Sequence, residues 1–217
     1  MISATYEGWI DLFGWGTSGY YHGATCYLPW STSQNYYDYY AYGNAWLNLY
    51  DQSGKADWGY NAIINGGNIE NNWRTLTKNE WSYLLQYRNT VSNIRYAMAN
   101  VNGVNGVLLL PDDWTNLIYS ITHTNQVGSY GYNIISMDDW NNTLEPNGAV
   151  FLPASGHRSG VSVDGAGRWG DYWSSSVHDG NSNSACDFLW DTNEIDPKGP
   201  MVKHIGCSVR LVRNVDN

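Results

Sequence analysis

The segment DYWSSSVHDGNSNSACDFLWD, residues 171–191, opens and closes on side chains that seek burial: Tyr172, Trp173, Phe188 and Trp190. Between them runs a stretch of small and polar residues with no hydrophobic period. Its ends read as strands, DYWSSS (171–176) and CDFLWD (186–191), and its middle as a loop. Similar short runs lie outward on both sides: IRYAMANV (94–101), GVLLLP (106–111) and AVFLPA (149–154) before it, CSVRLVR (207–213) after it. In the last, Cys207, Val209 and Leu211 share one face, and Ser208, Arg210 and Val212 the other. That is the alternation of a half-buried antiparallel strand.

Two helices interrupt the strands. In TLTKNEWSYLLQYR (75–88), Thr77 and Glu80 have the spacing of a capping box, and Trp81, Leu84, Leu85 and Arg88 follow on one helical stripe. ISMDDWNNTLEPNG repeats the device, with Ser136 and Asp139 as caps and Pro146 and Gly148 as stops. Helices and short strands mixed without βαβ periodicity predict an α+β fold. The 217 residues fit a single domain, 1–217. The first seventy residues read as irregular coil with short strands, stapled by aromatic side chains. Disordered segments are poor in aromatics, and this one is rich in them.

Composition narrows the function classes. Aromatics are 15% of the chain, with 18 Tyr and 12 Trp against three Phe, while charged residues are only 14%. The net charge of −9 and the lack of any basic run exclude a nucleic-acid partner. The longest apolar run, VLLL at 107–110, is far too short to enter a bilayer as a span. No signal peptide is visible at the start, so a leader for export would lie outside this chain. Cys26, Cys186 and Cys207 lack metal-ligand spacing, and His22, His123, His157, His178 and His204 are scattered singly. Asp112–Asp113 and Asp138–Asp139 each precede a Trp and read as helix-start carboxylates. Glu145-Pro146-Asn147 matches the tripeptide with which many C-type lectins bind calcium and sugar, but its place at a helix end explains it as a stop signal. No nucleophile elbow or phosphate loop is present. No metal and no cofactor is expected.

Longer phrases carry a resemblance. GWIDLFGWGTSGY, ADWGYNAIINGGN, NWRTLTKNEWSYLL, GVNGVLLLPDDW, NGAVFLPASGHR, GDYWSSS and GCSVRLVR occur in order from about Tyr6 to Arg213. Together they are similar to the Fibrobacter succinogenes major paralogous domain family of Bacteroides-type gut bacteria and phages. The resemblance implies a C-type-lectin-like fold, shared with the formylglycine-generating enzyme, with two short helices, small twisted antiparallel sheets and much ordered coil. Several members are variable proteins of diversity-generating retroelements, in which a C-terminal cassette is rewritten to alter ligand binding. Members usually carry an upstream first strand, and the resemblance implies that the matching phrases here begin after it.

On that resemblance the segment at about 170–207 is a variable ligand-binding surface, framed by YWSSS and SVRLV. The expected contacts are Val177, His178, Asp179, Asn181, Asn183, Asp187, Trp190, Asn193, Glu194, Lys198, His204 and Ile205, with Trp190 as the energetic anchor. The Tyr, Ser, Gly and Asn bias of the chain is that of antibody paratopes. The function implied is a non-enzymatic adhesion or recognition module. Its partner would be a protein or glycan on a cell or phage surface, and its place extracellular, on a bacterial surface or phage particle. Three alternatives stand beside it: a formylglycine-generating-type oxidase, although Cys186 and Cys207 lack the close spacing of that reactive pair; a calcium-dependent lectin using Glu145 and Asn147; and a structural surface component. Trp173 and Leu211 are expected as buried framework. A hairpin of ACDFLWD with HIGCSVR would bring Cys186 and Cys207 onto neighbouring strands, with both thiols free.

Overall fold

The computed structural model describes residues 12–16, 44–51, 53, 55–60, 69–160 and 162–214. Most of the first seventy residues, with His22 and Cys26, lie outside the described residues, and so does most of the expectation made for them. Within these limits the fold is α+β, with two short helices and several small sheets.

The first helix forms where its caps predict. After β1 (Arg74–Thr75), the Thr77 side chain accepts from the Glu80 amide at 3.2 Å, and the Glu80 carboxylate accepts from the Thr77 amide at 2.9 Å. Two orphan donors are thereby satisfied at the start of α1 (Lys78–Ser82), which continues as a π-helical turn over Tyr83–Tyr87. Arg74 grips the same Glu80 carboxylate through both Nη atoms, at 2.8 and 2.6 Å. Trp81 and Leu85 of the expected stripe are buried, and the Arg88 guanidinium closes it by donating to the Leu110 carbonyl and pairing with Asp112 at 3.1 Å. Asp112 and Asp113 therefore stand in a turn, and no helix starts there.

A four-stranded sheet follows in the order β4-β2-β3-β5, built from β2 (Tyr96–Val101), β3 (Val104–Leu109), β4 (Ile134–Ile135) and β5 (Val150–Pro153). Its β2–β4 pair is parallel and its other pairs antiparallel. The second helix, α2 (Met137–Asp139), is capped by the Ser136 hydroxyl, which accepts from the Asp139 amide. It too continues as a π-helical turn, over Trp140–Leu144. A small hairpin of β6 (His157–Ser159) and β7 (Ser162–Asp164) leads into a three-stranded sheet, β10-β9-β8. Its strands are β8 (Gly170–Val177), β9 (Ser184–Trp190) and β10 (Ile195–Val202). Finally β11 (Leu211–Val212) pairs with β1.

Both larger sheets are covered on both faces. From β2, Tyr96 and Met98 join Trp81, Leu85, Tyr172, Phe188 and Trp190 in one core, while Ala97, Ala99 and Val101 join Trp114, Ile121 and Leu144 in another. From the three-stranded sheet, Trp173, Val177 and Ala185 face a third core with Trp15, Leu49 and Trp58. With aromatic layers on each side, β8 and β9 have almost no exposed residue.

Three expectations change. CSVRLVR is not one strand: Cys207 bridges Phe13, Ser208 bridges Tyr172, and only Leu211 and Val212 form a ladder. Leu211 is accordingly half-buried, while Trp173 is fully buried and donates from its indole to the Phe13 carbonyl at 2.6 Å. The partner of β9 is not HIGCSVR but IDPKGPMV, in which two prolines and a glycine conceal a strand. These prolines are tolerated because β10 lies at the sheet edge and breaks register between Asp196 and Gly199. Cys186 consequently faces Pro200, and Cys207 lies beyond β8, on the far side from β9. The two cysteines are not on neighbouring strands, and both thiols are free.

Candidate ligand-binding rim

At the Val177 end of β8 the chain leaves the covered sheet and turns through His178–Asn183. The turn is held by its own polar groups. The His178 amide donates to the Ser184 carbonyl, the Ser184 amide to the Asn181 carbonyl, and the Asn183 amide to the Asn181 side chain at 2.9 Å. Asp179, Gly180 and Asn181 are exposed at the tip, and His178 and Asn183 are half-buried at its flanks. Lys78, at the start of α1, reaches Asp179 at 2.6 Å. That ammonium holds the Asp179 carboxyl below the usual carboxylate range.

A second turn joins the first. The Lys203 amide donates to the Asn183 carbonyl at 3.0 Å, which sets His204 and Ile205 beside the loop. Lys203 itself points inward and is fully buried, its Nζ donating to the Ala45 carbonyl at 2.8 Å and lying 4.4 Å from the centre of the Trp15 ring. Burial pushes its amine down to about 7, while the ring face attracts the ammonium form. Burial also lowers the pKa of the His204 imidazole. Along β10, Lys198, Pro200 and Val202 form an exposed outer row.

The structure thus brings together His178, Asp179, Asn181, Asn183, His204 and Ile205, and carries Lys198 on the adjoining edge strand. Asn193 and Glu194 sit elsewhere. They lie in the β9–β10 turn, where both amides donate to the Asp191 carboxylate at 2.7 and 2.8 Å. That turn is at the opposite end of β9, a strand of seven residues and so about 20 Å long at ~3.3 Å per residue.

Three expected contacts are interior residues. Trp190 is 0% exposed, with ring centres 5.3 Å from Tyr172 and 4.7 Å from Phe188. It cannot anchor a partner, because it anchors the main core. Asp187 is buried at 1% exposure, and Val177 is buried against the third core. The error has one cause: a strand covered on both faces offers no outward row. Conversely Lys78, Pro200 and Val202 belong to the rim without having been expected there. Lys78 arrives from a different element, and Pro200 and Val202 follow from the concealed strand.

The chemistry of the alternatives is also visible. Burial pushes the Cys186 thiol up to about 11 and that of Cys207 well above its ordinary value, so both are protonated at neutral pH. Glu145 and Asn147 close the second helix, where the Asn147 side-chain Nδ2 donates to the Thr143 carbonyl at 2.7 Å. Among the described residues no three His, Cys, Asp or Glu side chains are grouped to hold a metal. No helix among them is long and apolar enough to cross a membrane. No model of a known protein family matches the chain, and neither does any curated protein or solved structure.

Proposed function

We propose that the chain is a non-enzymatic recognition module of C-type-lectin-like fold, similar to the Fibrobacter succinogenes major paralogous domain proteins and to the variable proteins of diversity-generating retroelements. Its binding face is the rim formed by residues 178–183, the turn at 204–205 and the outer row of β10. One observation carries the reading. The aromatic side chains of the C-terminal segment all serve the cores, while His178, Asp179, Asn181 and Asn183, none of them in a core, share one rim with His204 through two tied turns. Loops fixed on a rigid scaffold can change side chains without changing the fold. The partner is a protein or glycan on a cell or phage surface, and the module works outside the cell. Its acidic balance favours a partner with complementary positive groups.

A library randomised at His178, Asp179, Asn181, Asn183, Lys198 and His204 tests this. Most members should melt within about 2 °C of the parent, the scale of neutral surface changes in a domain of this size. Selection of the library on intact bacterial cells and on immobilised glycans should yield binders that differ only at these positions. General loss of folding, or no binder from any selection, would overturn the proposal.

A further inference from the structure

In the three-stranded sheet, and independent of the rim's function, lies a buried acidic pair. Asp171 on β8 and Asp187 on β9 stand diagonally across their ladder on the Trp173 side, each 1% exposed. Asp171 Oδ1 and Asp187 Oδ2 are both buried without a donor. Two facing carboxylates could not remain so unless one carried a proton. The other oxygen of Asp171 meets His157 Nδ1 at 3.0 Å, and the His157 side chain is 25% exposed. Opposite Asp187 stands Gly199, at the register break of β10; a Cβ there would lie 2.7 Å from Asp187 Oδ1. The missing side chain makes room for the carboxyl.

We propose that Asp171 and Asp187 share one proton at neutral pH, and that this proton latches β9 to its neighbouring strands, with His157 as the link to solvent. Holding it, Asp187 donates to Asp171, and Asp171 accepts from His157: one charge, both carboxyls bonded. Losing it leaves two negative carboxyl groups facing each other below the β10 bulge. The surroundings offer little relief. Asp196 of β10 adds negative charge near Asp187, Asp164 of β7 adds it near His157, and the thiols of Cys186 and Cys207 nearby are neutral. Burial and Asp171 together raise the Asp187 pKa well above the ordinary carboxyl value, and the bond to Asp171 raises that of His157.

The sign follows from linkage. A carboxyl whose pKa is higher folded than unfolded binds its proton more tightly in the folded state, so its stabilisation fades as pH rises through the folded value. Infrared spectroscopy of the whole chain at neutral pH reads the proton directly. The carbonyl stretch of a protonated carboxylic acid should be present in the wild type, absent in Asp187→Asn, and lost from the wild type on alkaline titration. Urea midpoints should fall from mildly acidic to neutral pH in the wild type and change less in Asp187→Asn, whose amide still donates to Asp171. A wild-type spectrum without the acid band at neutral pH overturns the proposal, whether or not the variant folds. An identical pH slope in a folded Asp187→Asn overturns it as well.

Discussion

Trp190 shows what a single residue can conceal. Its position in a polar, aperiodic segment marks it as a surface anchor, yet its ring fills the space between Tyr172, Phe188 and the bare backbone of Gly170. A Cβ at Gly170 would strike that ring. The sequence carries the clue as CDFLWD alternation, in which Phe188 and Trp190 share a face with Tyr172 across the ladder. What it cannot carry is that Asp187, on the opposite face, is covered as well. Emptying the Trp190 site should cost about 3–5 kcal/mol, the range for removing a large aromatic from a core. Urea melts of Trp190→Ala check this: a loss of under about 0.5 kcal/mol, as at surface sites, would return Trp190 to the rim.

Elements were legible where local chemistry sets them. Thr77, Glu80, Ser136 and Asp139 state where both helices begin, and the structure begins them there. The strands 96–101, 104–109, 150–153, 170–177 and 184–190 fall within a few residues of their apolar runs. β10 was hidden because Pro197, Gly199 and Pro200 are breakers in a central strand and harmless only at an edge with a bulge. Edge position is a tertiary fact that no local pattern contains. The cysteine hairpin failed for the same reason, since an unseen strand took the place assigned to HIGCSVR. Thr77→Ala tests the element best understood. It removes one half of the capping box and should lower stability by about 1 kcal/mol, with Thr77→Ser recovering most of it. An unchanged urea midpoint for Thr77→Ala would mean that the Arg74–Glu80 pair alone fixes the helix start.

At the scale of the whole molecule, two buried ionisable sites bend the stability curve in opposite directions. In the Asp171–Asp187–His157 cluster, Asp187 and His157 bind their protons more tightly folded than unfolded, so their contribution is full at low pH and drains as pH rises through the raised folded values. Lys203 does the reverse. Its amine falls from 10.5 to about 7 on burial, so between those values the unfolded chain binds the extra proton and stability climbs with pH. The climb is on the order of a few kcal/mol for a shift of this size, reduced by the hold of the Trp15 ring on the ammonium form. The two slopes oppose each other, the cluster's falling from the acid side and that of Lys203 rising above about 7. Urea midpoints measured from mildly acidic to strongly alkaline pH check the shape, and single substitutions separate its limbs. Lys203→Met keeps the packing against Trp15 and removes the amine, so it should abolish the alkaline rise and leave the acid limb in place. Asp187→Asn should flatten the acid limb and leave the rise. An Asp187→Asn curve that fails to rise through the alkaline range would show that the Lys203 ammonium stays charged in its site, held by Trp15 and the Ala45 carbonyl more firmly than burial opposes it.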